Sequence, residues 1–350
     1  MDDTNLSSRQ RAILDFLAGA GKVTRQAIGN IFAGDKSVSK ITVIRDLNEL
    51  MGEKLVEHSG NGKARVYFLP QINPLLSFVD LDAYFRIDFD NRKIIGSFNE
   101  EIYKDLTNLF SDQEKLIWQS SSEEFRYRVG ALDRSIYKRE LERFVIEFSW
   151  KSAQIEGNTY DLLETETLFT QNIEAKGHTR EEAKMLINHK KAFDLILENR
   201  NNFKKVTYSD VLRLHGVMTR DLVSPGIRNQ PVRIGGTRYI PMTTSSDLKS
   251  HLRKTIDLIN ETNFPAQKAL IASVMMAYIQ PFKDGNKRTA RTLANAILLA
   301  YDYFPLSYRN VDVNYFKKAL VLFYEQNNLY HFKKIFSEQL DFALKNYFKV

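Results

Sequence analysis

Two stretches late in the chain are apolar on nearly every face, Ala269 to Ile279 and, after a polar interruption, Leu293 to Ala300. Surface helices alternate their faces at three- and four-residue spacing, so runs this uniform read as buried helices. Pro281 disfavours helical dihedrals at Gln280, and Gly285 permits left-handed ones. The pattern predicts a helix that breaks at 280 and another that restarts near 285 or 286. Helical periodicity also resumes near Asn99 and again from Asp133. Two segments alternate instead: Tyr84 to Ile95 reads as a hairpin turning at Asp90-Asn91, and Val232 to Tyr239 as a hairpin around Gly235-Gly236.

The first seventy residues follow another rhythm. Leu6 to Leu17 has helical spacing behind a serine cap, Thr24 caps a short helix reaching Phe32, and Gly34-Asp35-Lys36 makes a turn. A third helix fits Val38 to Met51, with Ile41, Ile44, Leu47 and Leu50 as its buried stripe. Leu55 to His58 and Arg65 to Leu69 read as strands around the turn-rich Ser59 to Ala64. Three helices and a basic hairpin make a winged helix-turn-helix, and the segment resembles the DeoR-like N-terminal domains of bacterial regulators. That resemblance puts Ser39, Lys40, Thr42 and Arg45 on a DNA-reading helix and Lys63 and Arg65 on a wing beside phosphates. Residues 1–70 hold ten Lys/Arg against eight Asp/Glu, a modest excess, so a winged helix used for protein contact or dimerisation stays open.

The interruption from Gln280 to Arg291 concentrates phosphate-binding chemistry. A helix starting beside a glycine offers free N–H groups and the positive end of its dipole, and Lys287, Arg288 and Arg291 add three cations within two turns. Asp284 would repel phosphate unless a divalent ion lay between them, which fits Mg²⁺ held by one carboxylate plus phosphate oxygens. The plain alternative is a solvated Gly-Asn turn. The apolar flanks argue against it, because a charged cluster between core helices is costly unless it faces a cleft. Upstream, Ser152 and Glu156 share a helical face, and Gly157 can end that helix.

The loop resembles the signature of the Fic family, His-Pro-Phe-x-Asp/Glu-Gly-Asn-Gly/Lys-Arg-x-x-Arg, in every element except the first, where Gln280 stands. Leu214-His215-Gly216-Val217-Met218 resembles the family's Leu-His-x-x-Met helix, and the similarity covers roughly residues 111–350. The resemblance implies a protein adenylyltransferase that moves AMP from ATP to a hydroxyl on a target protein. It implies Asp284 as the Mg²⁺ ligand, Gly285, Asn286, Lys287 and Arg288 at the phosphates, and Arg291 at the terminal phosphate. Ser152 to Asn158 resembles the family's inhibitory motif, which implies that Glu156 pairs bidentately with Arg291 and keeps ATP from its reactive pose. Pro225 to Pro241, with Ile234, Gly235 and Gly236 at its turn, resembles the flap that holds a target peptide by strand addition. Gln280 occupies the catalytic position of the family's histidine. An amide cannot act as a base, so transfer is expected to be weak or absent, a loss of about 10²–10⁴ in rate. Lys287 is shared with Doc-like members that transfer phosphate, whereas Arg291 favours AMP transfer. The alternative is a regulator that senses nucleotide without catalysis and answers at DNA.

Composition sets outer bounds. At 350 residues and 43% hydrophobic the chain can bury a sizeable core in two or more domains, and its charge of +7 suits ATP, DNA or an acidic partner. Without cysteine there are no disulfides or thiolate metal sites. No apolar run approaches the roughly 18–20 residues of a membrane span and no signal peptide is evident, so a soluble cytoplasmic protein is expected. The expected organisation is a winged-helix domain over 1–69, a linker with a β-hairpin over 70–110 and a Fic-like domain over 111–350. The whole is mainly α, a helical core with a β-hairpin flap plus a small α+β domain. A homodimer is compatible with it.

Overall fold

The computed structural model describes residues 6–35, 38–70 and 73–349, apart from the side chains of Ala18, Gly19 and Lys63. The chain divides into two compact units, Met1–Asn73 and Pro74–Val350. Lys36 of the expected turn, and Gln71 and Ile72 of the expected linker, lie outside the described residues.

In the first unit, α1 (Ser8–Ala20) is followed by β1 (Val23–Thr24), α2 (Arg25–Asn30), α3 (Lys40–Gly52), β2 (Glu57–Ser59) and β3 (Val66–Phe68). Ser7 opens α1 with a capping box, its hydroxyl on the Gln10 N–H and the Gln10 amide on its own N–H. The strands form an antiparallel sheet in the order β1-β3-β2, with Val23 and His58 both opposite Tyr67. Between β2 and β3, Gly60 sits at φ 77°, where a Cβ would lie 2.6 Å from the Ala64 carbonyl oxygen. The buried stripe of α3 differs from the expected one. It runs Val43, Asp46, Leu47 and Leu50, while Ile41 is 78% exposed. The face is turned because buried Asp46 pairs with Arg9 of α1 at 2.8 Å, a polar contact that a hydrophobic pattern cannot register.

The second unit contains α4 (Leu81–Arg86), α5 (Ile102–Asp105), α6 (Asp112–Ala131), α7 (Arg134–Ile155), α8 (Leu162–Gln171), α9 (Arg180–Glu198), α10 (Tyr208–Met218), α11 (Ser245–Glu261), α12 (Pro265–Ile279), α13 (Asn286–Ala300), α14 (Val313–Gln326) and α15 (Tyr330–Asn346). The fold is mainly helical. At its centre α12 packs on α13, with α11 against α12 and α10 against α13. Every α12 residue from Ala266 to Ile279 is buried, and so is every α13 residue except Lys287. Burying each Leu, Ile, Val or Met here stabilises by about 1.5–3 kcal/mol. The polar residues of α12 are satisfied inside: Ser273 Oγ donates to the Ala269 carbonyl at 3.0 Å, and Lys268 Nζ donates to the Ile259 carbonyl at 2.8 Å, closing the end of α11. Among the described residues no helix is long and apolar enough to cross a membrane.

Two alternating segments resolve differently from their pattern. Residues 84–95 form no hairpin: Asp80 caps α4, its carboxylate accepting the Ala83 N–H at 2.9 Å, and the chain then turns through Asp88 to Arg92. Nor do residues 74–110 behave as a linker, since Leu75, Ile102, Tyr103, Leu106, Leu109 and Phe110 join the core of the second unit. Arg92, inside the expected hairpin, is buried and paired with equally buried Glu325 of α14 at 3.2 Å. The Val232–Tyr239 segment does reverse at Gly235-Gly236, but its arms are unpaired. The bridge just after it is parallel, Ile240 to Ser97, so the segment is anchored to the body of the unit rather than paired as two strands.

Candidate active site

The break between α12 and α13 is built by its own residues. Gln280 takes the left-handed conformation, φ 51° and ψ 57°, and its N–H still bonds to the Met276 carbonyl at 3.2 Å. Its side-chain Nε2 donates back to the Ala277 carbonyl at 2.7 Å, so the amide closes the helix end. Buried Arg228 holds the loop entrance, Nε on the Gln280 carbonyl at 2.7 Å and its N–H on the Pro281 carbonyl at 3.0 Å. Asn286 then clamps the turn on itself: its Oδ1 accepts the Phe282 N–H and its Nδ2 donates to the Phe282 carbonyl, each at 2.8 Å. Gly285 precedes α13 at φ 77°, and a Cβ there would come 2.6 Å from Thr219 Cγ2, so glycine is required both sterically and by its dihedral.

The first turn of α13 has no side-chain cap, which leaves its N–H groups open to an anion. Arg288 Nη2 bonds to Asp284 Oδ2 at 2.7 Å, while Asp284 keeps 59% of its side chain exposed. Arg288 Nη1, Thr289 Oγ1 and His215 Nδ1 are buried without a partner among the described residues. Three orphaned polar atoms around one helix start fit a site completed by a polar ligand. His215 of α10 stacks on Phe282, ring centroids 3.6 Å apart, and donates from Nε2 to the Asp284 carbonyl at 2.9 Å. Burial pushes its pKa down to about 4, so its free Nδ1 is a weak base.

From the facing helix, α7 ends with Glu156 as its cap and Gly157 following at φ 101°. Arg291 meets this end with three donors: Nη1 to Glu156 Oε1 at 3.0 Å, Nε to Ser152 Oγ at 3.0 Å and Nη2 to the Ser152 carbonyl at 2.8 Å. The expected bidentate Glu156–Arg291 pair is therefore replaced by a single contact, and the second oxygen of Glu156 goes to Lys287 Nζ at 2.6 Å. Burial alone would raise the Glu156 pKa; Arg291 and Lys287 outweigh it and bring it down to about 2. Sequence reasoning missed what stands behind Ser152. His189 Nδ1 lies 2.9 Å from the Met185 carbonyl, an obligate acceptor, so Nδ1 carries the proton and Nε2 accepts the Ser152 hydroxyl at 3.0 Å. Burial and the Arg288 charge lower His189 to about 3 and keep it neutral.

The remaining sequence candidates fall elsewhere. In the turn after Ile234, Gly235 and Gly236 are exposed, and the Gly236 carbonyl accepts Arg92 Nη2 at 3.1 Å. Tyr239 ties the following arm to α12 through its hydroxyl on the Tyr278 carbonyl at 3.0 Å. In the first unit, Ser39 is engaged as the cap of α3, on the Thr42 N–H at 3.1 Å and its hydroxyl at 2.9 Å. Lys40 and Arg45 are exposed, Arg65 is half-buried, and the Lys63 side chain lies outside the described residues.

Residues 205–298 match the model of the Fic/DOC family. A protein adenylyltransferase Fic from Culex quinquefasciatus is 31% identical over 188 residues, 51% of this chain and 36% of that protein. One from Aedes aegypti is 29% identical over 178 residues, 48% of this chain and 35% of that protein. The chain thus spans little more than a third of these relatives' length. Among solved structures, Fic-1 (aa134 - 508) from C. elegans superposes with a TM-score of 0.56 at 20% identity, over 68% of this chain and 73% of that one. A Fic domain containing signaling protein from Bacteroides thetaiotaomicron gives 0.51 at 17% identity, over 66% and 97%. At these identities the likeness is one of fold.

Proposed function

We propose that the Fic/DOC domain of this chain is a magnesium-nucleotide site of the protein adenylyltransferase type, held shut by Glu156 and weakened in chemistry by Gln280. The observation that carries the reading is the seating of the Glu156 carboxylate on Arg291 and Lys287, beside an uncapped helix start with orphaned donors. When bound, Mg·ATP supplies the AMP group to be transferred. Arg288, Arg291, Lys287 and the first N–H groups of α13 would bind the phosphates, and Asp284, half-exposed at the loop tip, would hold the metal. The turn at Ile234 to Gly236 would receive the target segment that brings the hydroxyl. Gln280 can orient that hydroxyl but cannot take its proton. The adenylyltransferase names of the relatives support this reading.

Gln280 also suggests its own repair. Its Nε2 donates to the Ala277 carbonyl; a histidine Nδ1–H at that position could make the same bond and leave Nε2 free as a base. With α-labelled ATP, label on protein is expected only when Glu156→Gly is combined with Gln280→His. Label from Glu156→Gly alone would show that the amide suffices, and label from γ-phosphate would reassign the site to phosphate transfer. If Glu156→Gly gave no heat with Mg·ATP by calorimetry, the nucleotide reading would fall.

A second reading, a non-catalytic regulator in which nucleotide at this site tunes DNA binding, draws on the outer face of α3. There Lys40 and Arg45 are exposed beside Ile41, an apolar side chain placed to meet a thymine methyl.

A further inference from the structure

Lys287 is the one residue of α13 that the core leaves uncovered, and its partner explains why. Lys287 and Arg291 stand four positions apart on one helix, so their charges face each other across a single turn. They do so at the helix end whose dipole already disfavours cations. Arg288 takes the acid of the loop, Asp284, which leaves the other two cations with none on their own element. The missing charge comes from α7. Glu156 gives Oε1 to Arg291 at 3.0 Å and Oε2 to Lys287 at 2.6 Å, spanning the pair. The Lys287 side chain is 30% exposed and that of Glu156 14%, so solvent screens this pair less than an open surface one.

We infer that Lys287 is a second holder of the inhibitory carboxylate, and that Lys287 and Arg291 form a two-cation fork that closes on either Glu156 or a terminal phosphate. The inference rests on the nucleotide reading above and adds a regulatory residue to it. A phosphate reaching Arg291 alone would not release Glu156, whose Oε2 stays on Lys287. Both contacts must be given up together. A terminal phosphate is the ligand class that fits, because its oxygens can satisfy both cations as the carboxylate does. Arg291, however, is also fixed by Ser152, whose hydroxyl is held by His189. Of the two prongs, Lys287 is the mobile one. It can follow the carboxylate or turn to a phosphate, while Arg291 stays in place.

Lys287 therefore acts on nucleotide affinity in two opposed ways, as a cation for phosphate and as a clamp on the competing carboxylate. A double-mutant cycle in the full chain separates them, with Mg·ATP titrated calorimetrically into wild type, Lys287→Ala, Glu156→Gly and the double variant. In the Glu156→Gly background, Lys287→Ala should weaken binding about tenfold, the loss of one charge-assisted contact. With Glu156 present the same change should weaken binding at least about fivefold less, or strengthen it, because the clamp is lost as well. Lys287→Arg, which keeps the charge, should weaken binding less than Lys287→Ala in the Glu156→Gly background, and circular dichroism melts report folding of each variant. Equal weakening by Lys287→Ala in the two backgrounds overturns the inference and leaves the nucleotide reading standing. No binding by Glu156→Gly overturns that reading and the inference with it.

Discussion

Buried titratable side chains around Arg291 set how the protein answers pH. Glu156 titrates near 2 in the fold against an ordinary 4.5, so its stabilisation is complete above about 4.5 and is lost as pH falls toward 2. His189 and His215 titrate near 3 and 4 against an ordinary 6.5. Below about 6.5 the unfolded chain takes up protons that the native histidines refuse, and stability falls by up to about 1.4 kcal/mol per pH unit for each. Acid loss should thus begin near pH 6, ahead of the carboxylates. His189→Gln, whose amide oxygen can still accept from Ser152, should flatten the decline in urea-derived stability between pH 6.5 and 5. An unchanged slope would mean that His189 is already protonated in the native protein. At this scale the sequence exposed half of the arrangement. The spacing of Ser152, Glu156 and Gly157 marks a helix end with a free carboxylate, whereas Lys287 as its second partner and His189 as the support of Ser152 depend on packing between helices distant in sequence.

Elements were legible where the local chemistry that shapes them is also in the local sequence. The break at Gln280 and the restart at Asn286 follow from Pro281 and Gly285, and the structure has both at those residues. The caps Ser7 and Thr24 open their helices as their side-chain chemistry predicts, whereas Ser39, expected inside the third helix, is its cap. Legibility ends where a distant polar partner decides. The segment around Arg92 reads as a hairpin, yet Arg92 is buried on Glu325 from α14, and Asp46 turns α3 by pairing with Arg9. The turn between α12 and α13 offers a direct test, because its shape rests on Asn286 bonding both the N–H and the carbonyl of Phe282. Asn286→Ala leaves two buried backbone groups unsatisfied and should cost about 2–4 kcal/mol of stability. It should also abolish nucleotide binding in a Glu156→Gly background, since the loop would no longer present α13. A fall in the urea midpoint equivalent to less than about 1 kcal/mol would mean that water replaces the clamp.

On the scale of the whole chain, the division of labour follows from where the site and its core lie. Each residue assigned to nucleotide, metal, inhibition or target belongs to Pro74–Val350, and the core that supports α12 and α13 is drawn from the same unit. Residues 74–110 contribute to that core through Leu75, Ile102 and Phe110, which is why a boundary at 111 taken from the family motif alone cuts too late. A chain of residues 74–350 carrying Glu156→Gly should therefore fold and bind Mg·ATP within about twofold of its counterpart of residues 1–350, since no phosphate contact is removed. A chain starting at 111 should unfold or precipitate, because it exposes the faces those residues cover. The DNA reading makes the complementary demand. Residues 1–350 should shift DNA with an affinity that falls with salt at a slope of about −3, for three phosphate contacts from cations such as Lys40, Arg45 and Arg65, and residues 74–350 should not shift it. Retention of the shift by the truncated chain would move nucleic-acid contact away from α3. Loss of nucleotide binding in the truncated chain would mean that the first unit completes the site, and the assignment of nucleotide recognition to Pro74–Val350 alone would be wrong.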